Sequence, residues 1–74
     1  MRVRLTEHAE LRMAALGITR EEIEALIDEG LPRIGETAVE YDVQWRGLRI
    51  RIVHVREPEP VRLITVHEIY AERG

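Results

Sequence analysis

His8 and Arg12 are the two residues of this chain whose types and spacing best suit catalysis. They lie four residues apart in a stretch whose pattern predicts a short helix, so both side chains would project from one face. An imidazole titrates near neutral pH and can act as a general acid or base. A neighbouring guanidinium can hold a phosphate or stabilise a developing anion. The pair therefore suits phosphodiester chemistry on RNA.

The same two residues also fall in the middle of a broad apolar arc on that predicted helix. The arc consists of Ala9, Leu11, Met13, Ala15 and Leu16. A structural interpretation is therefore open as well: His8 would hydrogen-bond a backbone carbonyl, and Arg12 would pair with a carboxylate where the helix meets a sheet. Since structural networks of this kind are common, the sequence slightly favours such a clamp between helix and sheet over a catalytic pair.

His54 and His67 lie among apolar neighbours in predicted strands. Together with His8 they would form a three-histidine metal site only if three separate elements converged, and no His-x-His or His-Glu-x-x-His spacing supports one. The chain has no serine or cysteine to serve as the nucleophile of a catalytic triad, and it has no Gly-rich phosphate loop. The sequence therefore predicts neither a bound metal nor a cofactor.

All eleven basic residues are arginines, and the formal net charge is −3. An acidic chain lacks the overall positive charge typical of nucleic-acid-binding proteins, but it still has room for a local basic patch. Arg49, Arg51 and Arg62 are spaced to form an arginine stripe on a sheet, where they would follow phosphates. Carboxylates on neighbouring strands would neutralise Arg49 and Arg62 by cross-strand pairing. The face that Arg51 occupies depends on whether a β-bulge occurs near residues 53–55.

Capping signals predict two short helices. Thr6 suits the N-cap of the first helix, and Gly17 suits the left-handed residue that ends it. Thr19 and Glu22 form a capping-box pattern at the start of the second helix, which ends at Gly30. This second helix has a single apolar stripe, which consists of Ile23, Leu26 and Ile27.

From residue 38 the hydrophobic period changes to two, which predicts strands. Apolar residues alternate along residues 39–45 and again along 48–55, and residues 46–47 form a two-residue turn between them. A hairpin with this turn sets Trp45 opposite Leu48 on one face and Asp42 opposite Arg51 on the other. A third strand is predicted from Val61 to about residue 69.

The element order predicts an α+β fold, in which two N-terminal helices pack on one face of a three- to four-stranded antiparallel meander. The first five residues would supply the fourth strand, and residues 70–74 are expected to fray. A chain of 74 residues has the length of one small domain, so residues 1–74 are interpreted as a single domain.

Composition excludes several classes of protein. Without cysteine there is no disulfide framework and no thiolate metal site. The N-terminus lacks the apolar run of a signal peptide, and no segment approaches the roughly 20 apolar residues that cross a bilayer. We therefore expect a cytoplasmic protein without a membrane partner.

Residues 6–30 contain the pattern Thr-x-His-Ala-x-x-Arg-Met-x-x-x-Gly-Ile-Thr-x-x-Glu-Ile, followed by Gly30. This pattern resembles domain-of-unknown-function family 4258, whose members typically begin with a His-Ala-x-x-Arg-Met helix, then Gly-Ile-Ser or Gly-Ile-Thr and a second helix. In that family Tyr is usual at the position of His67, and His or Arg at that of Arg51. Many relatives also carry an Asp/Pro/Ser-rich segment before the second strand, which this chain lacks.

The resemblance implies a compact relative of RelE-type toxins, which are small messenger-RNA-cleaving domains with helices against an antiparallel sheet. By that analogy His8 would act as acid and base, Arg12 and Arg51 would hold the scissile phosphate, and His67 would assist. The implied function is a metal-independent endoribonuclease of a toxin–antitoxin pair. Its implied partners are an RNA substrate and a small zinc-finger antitoxin.

The alternative is a non-catalytic interaction module that binds another protein, or a second copy as a homodimer, through an exposed sheet edge. Dimerisation would help a chain with a small core to gain stability. The acidic net charge favours this alternative, because a ribonuclease must contact phosphates. The surroundings of His8 and Arg12 discriminate between the interpretations, since full burial of Arg12 against a carboxylate would make the pair a structural clamp.

Overall fold

The computed structural model describes residues 1–70 and contains two helices and five strands. In chain order the elements are β1 (Val3–Leu5), α1 (Glu7–Leu16), α2 (Arg20–Glu29), β2 (Arg33–Ile34), β3 (Ala38–Trp45), β4 (Leu48–Val55) and β5 (Val61–Glu68). The strands form one sheet in the order β1-β5-β4-β3-β2. Strand β1 runs parallel to β5, and the other neighbouring pairs are antiparallel. The fold is therefore α+β with a mixed sheet.

This sheet corrects the predicted three- to four-stranded antiparallel meander. The three predicted main strands are present, and the N-terminal segment does add a strand, but that strand is parallel to its neighbour. The two-residue strand β2 was not predicted. Strands of two and three residues are too short to show an alternating pattern, and their pairing depends on tertiary contacts. Residues 71–74, the end of the tail expected to fray, lie outside the described residues.

The hairpin of β3 and β4 has the predicted register. Trp45 pairs with Leu48, and Asp42 pairs with Arg51. The turn residues Arg46 and Gly47 have φ angles of 49° and 78°. Left-handed backbone at both positions is what a type I′ turn requires, and this turn type matches the twist of the flanking strands. The two-residue loop therefore fixes which side chains share each face of the sheet.

The two faces of the sheet differ in character. One face packs against both helices and contributes most of the core, which consists of Val3, Ala9, Met13, Ile18, Ile23, Ile27, Val39, Tyr41, Trp45, Ile50, Ile52, Val61, Leu63 and Val66. The other face, called the open face below, carries half-buried or exposed polar side chains. Its polar residues include Glu40, Asp42, Arg49, Arg51, Thr65 and His67. Neither helix in the described part of the chain is long and apolar enough to cross a membrane.

Helix α1 lies against β5 beyond the point where β1 ends. Strand β1 pairs with β5 only as far as Leu63, and the hydroxyl of Thr6 donates to the Leu63 carbonyl over 2.7 Å. Six residues further along the chain, Arg12 Nε donates to the Val66 carbonyl over 3.4 Å. The start of the helix therefore continues the edge of the sheet with side-chain donors in place of a strand.

The prediction of a broad apolar arc on α1 is wrong in part. Ala9 and Met13 are buried and Leu16 is partly buried, but Leu11 is 66% exposed. Ala15 is exposed as well. The helix packs along the edge of a strand and not across the face of the sheet. A narrower stripe of its apolar side chains is therefore buried.

Replacing Thr6 by Val should destabilise the fold by about 1.5–3 kcal/mol, because two interactions are lost. The Thr6 hydroxyl accepts from the Ala9 N–H at the helix N-cap, and it also donates to the Leu63 carbonyl. Urea denaturation followed by circular dichroism measures this loss. Thr37→Val, at an exposed loop position, is the matched control and should stay within about 0.5 kcal/mol of wild type. Equal stability of the two variants would contradict the proposed role of Thr6.

Candidate functional site

His8 lies in the first turn of α1, where its side chain is exposed. Its Nε2 atom is 3.3 Å from the hydroxyl of Thr65 on β5. The predicted structural interpretation placed His8 against a backbone carbonyl, whereas the structure gives it a hydroxyl partner and contact with solvent. An exposed imidazole that is held by one weak hydrogen bond can still exchange protons with a ligand.

A β-bulge in β5 places Thr65 beside His8. Val53 pairs with Thr65, but the next residue of β4, His54, pairs with Leu63, so Ile64 is an extra residue. A bulge of this kind re-aims the side chains near the inserted residue. The irregularity lies opposite residues 53–54, where the sequence had left the presence of a bulge open, and its extra residue belongs to β5. Arg51 therefore stays on the open face.

Arg51 and His67 are directly paired across β4 and β5. Arg51 also donates to Asp42 from Nε over 2.8 Å and from Nη2 over 3.1 Å. Arg33 reaches the same carboxylate from β2 over 2.8 Å. These guanidinium groups hold the pKa of Asp42 well below its usual range, and the Asp42 carboxylate raises the pKa of both arginines. Arg51 is consequently fixed in orientation, and part of its charge is neutralised.

Arg12 is half-buried and contacts β5 through its Nε donation to the Val66 carbonyl. The predicted carboxylate partner is not found: within residues 1–70, no carboxylate oxygen lies within 4.0 Å of its guanidinium. A guanidinium has five N–H donors, and one is committed here to the sheet. Arg12 therefore fixes α1 to the sheet, and its remaining N–H donors are available to bind an anion.

The four residues predicted for the site lie on one connected surface. His8 contacts Thr65, and His67 follows two positions later on the same face of β5, roughly 7 Å along the strand. Arg51 is the cross-strand neighbour of His67. We call His8, Thr65, His67 and Arg51 the polar row. Arg12 projects from α1 one turn after His8 and contacts the strand between Thr65 and His67.

His54 is separate from this surface. It is 3% exposed and lies on the core side of the sheet. Its Nε2 atom is 3.1 Å from the Tyr41 hydroxyl, and its Nδ1 atom is 2.9 Å from the Val55 carbonyl. Burial raises the pKa of Tyr41. The three histidines therefore do not converge, and the described part of the chain contains no cluster of three or more side chains placed to bind a metal.

Sequence reasoning did not name Thr65 as a site candidate, and it considered Arg49 only as part of the arginine stripe. Arg49 was expected to be neutralised, but it is exposed and has no carboxylate within 4.0 Å among the described residues. Its cross-strand partner is Gln44, which the predicted register already contained. Arg62 pairs with a carboxylate as expected, although with Glu57 of the preceding turn, at 3.2 Å, which it shares with Arg4. Nothing in the sequence indicated that a bulge would set Thr65 beside His8.

The acidic net charge is concentrated in the helices. Helices α1 and α2 together contain seven carboxylates and two arginines. The rest of residues 1–70 contains eight arginines and six carboxylates. The helical layer is therefore strongly negative, while the sheet and its loops are slightly positive. This separation allows an anion to approach the open face although the chain as a whole is acidic.

Comparison with known proteins places this chain in a family. Residues 5–68 match the family described as Domain of unknown function (DUF4258). The chain belongs to this family. The matched region contains both helices, β2 to β5 and the whole polar row. No curated protein and no solved structure is significantly similar to the chain.

Asp42→Asn should lower the free energy of unfolding at neutral pH by about 1–2 kcal/mol, because two charge-assisted interactions weaken. The carboxyl has a lower pKa in the folded state than its unfolded value of about 3.9. Its contribution is therefore complete above about pH 5 and is lost as the pH falls below about 4. Chemical denaturation across this range should show a weaker pH dependence for Asp42→Asn than for wild type.

The matched control is Glu36→Gln, at an exposed loop position. This variant should retain the pH dependence of wild type. If the stability of Asp42→Asn instead fell with acid as steeply as that of wild type, the network of Arg33, Asp42 and Arg51 would not be the source of the effect.

Proposed function

We propose that this protein is a metal-independent endoribonuclease, related to RelE-type toxins and paired with an antitoxin. The observation that carries the proposal is the polar row, in which an exposed imidazole at a helix terminus shares one surface with a second imidazole and an oriented guanidinium. Two groups able to transfer protons and a cation able to bind phosphate are the components that RNA cleavage needs without a metal.

The proposed reaction is transfer of the scissile phosphoryl group to the adjacent 2′-oxygen. A base removes the 2′-hydroxyl proton, the 2′-oxygen bonds to phosphorus, and the bond from phosphorus to the 5′-oxygen breaks. An acid then protonates the leaving oxygen, so the products are a 2′,3′-cyclic phosphate and a 5′-hydroxyl. His8 acts as acid and base with assistance from His67, while Arg12 and Arg51 hold the phosphate.

Arg12 and Arg51 differ in how they would hold that phosphate. Arg51 is oriented by Asp42, which improves its geometry and reduces its net charge. Arg12 has no carboxylate partner among residues 1–70, so its remaining donors keep their full charge for an anion. Arg49 adds an exposed guanidinium on the same strand face as Arg51. Together these groups compensate for the acidic helices at the place where RNA would bind.

His8→Gln should reduce RNA cleavage by about 10²–10³-fold, because glutamine cannot transfer a proton at neutral pH. His67→Gln should cause a smaller loss, in keeping with its assisting role. The measurement is single-turnover cleavage of a messenger RNA by purified protein, together with the melting temperature of each variant. Because His8 is exposed, its substitution should leave the melting temperature nearly unchanged.

The matched control is Arg20→Gln, an exposed change on α2 away from the open face, which should cleave RNA like wild type. The proposal fails if wild-type protein neither cleaves RNA nor slows growth on expression. It also fails if His8→Gln lowers the melting temperature but cleaves RNA as fast as wild type does.

The alternative of a non-catalytic interaction module would bind at the β1 edge of the sheet, which a carboxylate of α2 protects. Strand β1 is an edge of the sheet, and its Val3 N–H donates to the Glu24 carboxylate over 2.9 Å. Beside it lies a groove of about 540 Å³ between β1 and the helices. A carboxylate from α2 therefore occupies a position where the carbonyl of an added strand would bind. Exposed strand edges commonly recruit further strands unless they are protected.

Glu24→Ala should promote association through β1, because the Val3 N–H then has no acceptor. Analytical ultracentrifugation over a range of protein concentrations would detect a dimer. Glu21→Ala, an exposed change on the same helix, is the matched control and should behave as wild type does. If Glu24→Ala stays monomeric at the highest concentration, the β1 edge does not pair with a second copy.

A further inference from the structure

A surface depression of about 460 Å³ lies beside His8 on the open face. It is lined by Thr6, His8, Val55, Arg62 and Ile64. The depression adjoins the end of the polar row occupied by His8, and it extends along β5 away from His67. Its volume falls in the range of roughly 300–1,000 Å³ that is typical of small-molecule sites. One nucleotide would fit there, with its phosphate towards His8.

The floor of the depression is apolar because of the bulge in β5. Ile64 is the inserted residue, and its side chain is 37% exposed on the open face. Val55, at the end of β4, is half-buried beside it. In a regular strand, neighbouring residues point to opposite faces, so a single strand would not offer both Ile64 and Thr65 on one side. The bulge thus places an apolar surface directly next to the residue that contacts His8.

The rim of the depression is cationic. Arg62 donates to Glu57 over 3.2 Å, and Arg4 reaches the other oxygen of the same carboxylate at 3.8 Å. Two guanidinium groups therefore share one carboxylate, which leaves a net positive charge at this end. An apolar floor with a cationic rim matches a ligand that combines a flat, weakly polar ring with a phosphate.

We propose that this depression binds one unstacked nucleobase of single-stranded RNA, next to the phosphate held at His8. The inference rests on the proposed function, because it assigns the neighbouring subsite of the same substrate. Ile64 and Val55 contact the face of the base, while Arg62 contacts the adjoining phosphate. The floor of the depression is apolar and has no hydrogen-bonding side chain at its centre, so the site accepts all four bases. It favours single strands over duplex, because only an unpaired base can turn its face to the floor.

NMR titration with nucleoside 3′-monophosphates and, separately, with inorganic phosphate tests the proposal. Nucleotides should shift the resonances of Ile64 and Val55 as well as those of His8 and Arg62. Inorganic phosphate should shift only the polar residues. Ile64→Asn should weaken nucleotide binding by about fivefold to tenfold, because it removes the main apolar contact, and it should leave phosphate binding unchanged.

Ile34→Asn is the control, since Ile34 is another exposed isoleucine, on β2 at the opposite edge of the sheet; it is 66% exposed, against 37% for Ile64. This variant should bind nucleotides like wild type. In RNA cleavage, Ile64→Asn should raise KM by a similar factor with little change in kcat, because the base contact is made in the ground state and in the transition state alike.

The outcomes separate this inference from the proposed function. If nucleotides shift Ile64 and Val55 but the protein does not cleave RNA, the base subsite stands and the catalytic proposal falls. If RNA is cleaved while nucleotides leave Ile64 and Val55 unshifted, or Ile64→Asn binds them as wild type does, the subsite is overturned. Absence of both binding and cleavage overturns both.

Discussion

The structure depends on how helix α1 completes the edge of β5. A strand edge presents carbonyl and N–H groups that need partners, and β1 supplies them only as far as Leu63. Thr6 satisfies the Leu63 carbonyl and caps the helix with the same hydroxyl. Arg12 then satisfies the Val66 carbonyl. Because these bonds fix the position of α1 along the strand, they also fix His8 beside Thr65 and so assemble the candidate site.

The separation of charge follows from the same arrangement of layers. The helices contain seven carboxylates, of which Glu22 and Glu24 bond to Trp45 and to the Val3 N–H, while the open face contains arginines that are oriented by a few carboxylates. Asp42 joins Arg33 to Arg51, and Glu57 joins Arg4 to Arg62. Each of these carboxylates contacts two guanidinium groups, but Arg33 also pairs with Glu40 at 3.2 Å, so pairing orients these arginines and cancels part of their charge. Arg49 keeps its full charge, since no carboxylate of the described residues lies within 4.0 Å of it. A net charge of −3 is consequently a poor guide to what the open face can bind.

The sequence was most informative where local rules determine the structure. Capping residues and the two-residue turn predicted both helices and the full register of the hairpin, because each depends on neighbours in the chain. Prediction failed for the parallel direction of β1, which pairs with a strand distant in sequence, and for β2, whose two residues are too few to show a pattern. For the site, the pattern indicated that His8 and Arg12 contact the sheet, but it could not show that they meet an edge. The free charge of Arg49 was recoverable from its pairing with Gln44.

The choice between a structural clamp and a catalytic pair is resolved differently for each residue. Arg12 is half-buried and bonded to backbone, so its removal would disturb the position of α1 as well as any bound anion. His8 is exposed, and within the described residues its side-chain hydrogen bond is a weak one to a hydroxyl, which contributes little to stability. A residue that adds little stability and yet lies on a surface with His67 and Arg51 is better explained by binding or catalysis than by folding. The clamp and the proposed site are thus consecutive parts of one helix: Arg12 sets the position, and His8 is the group that we propose is presented to a ligand.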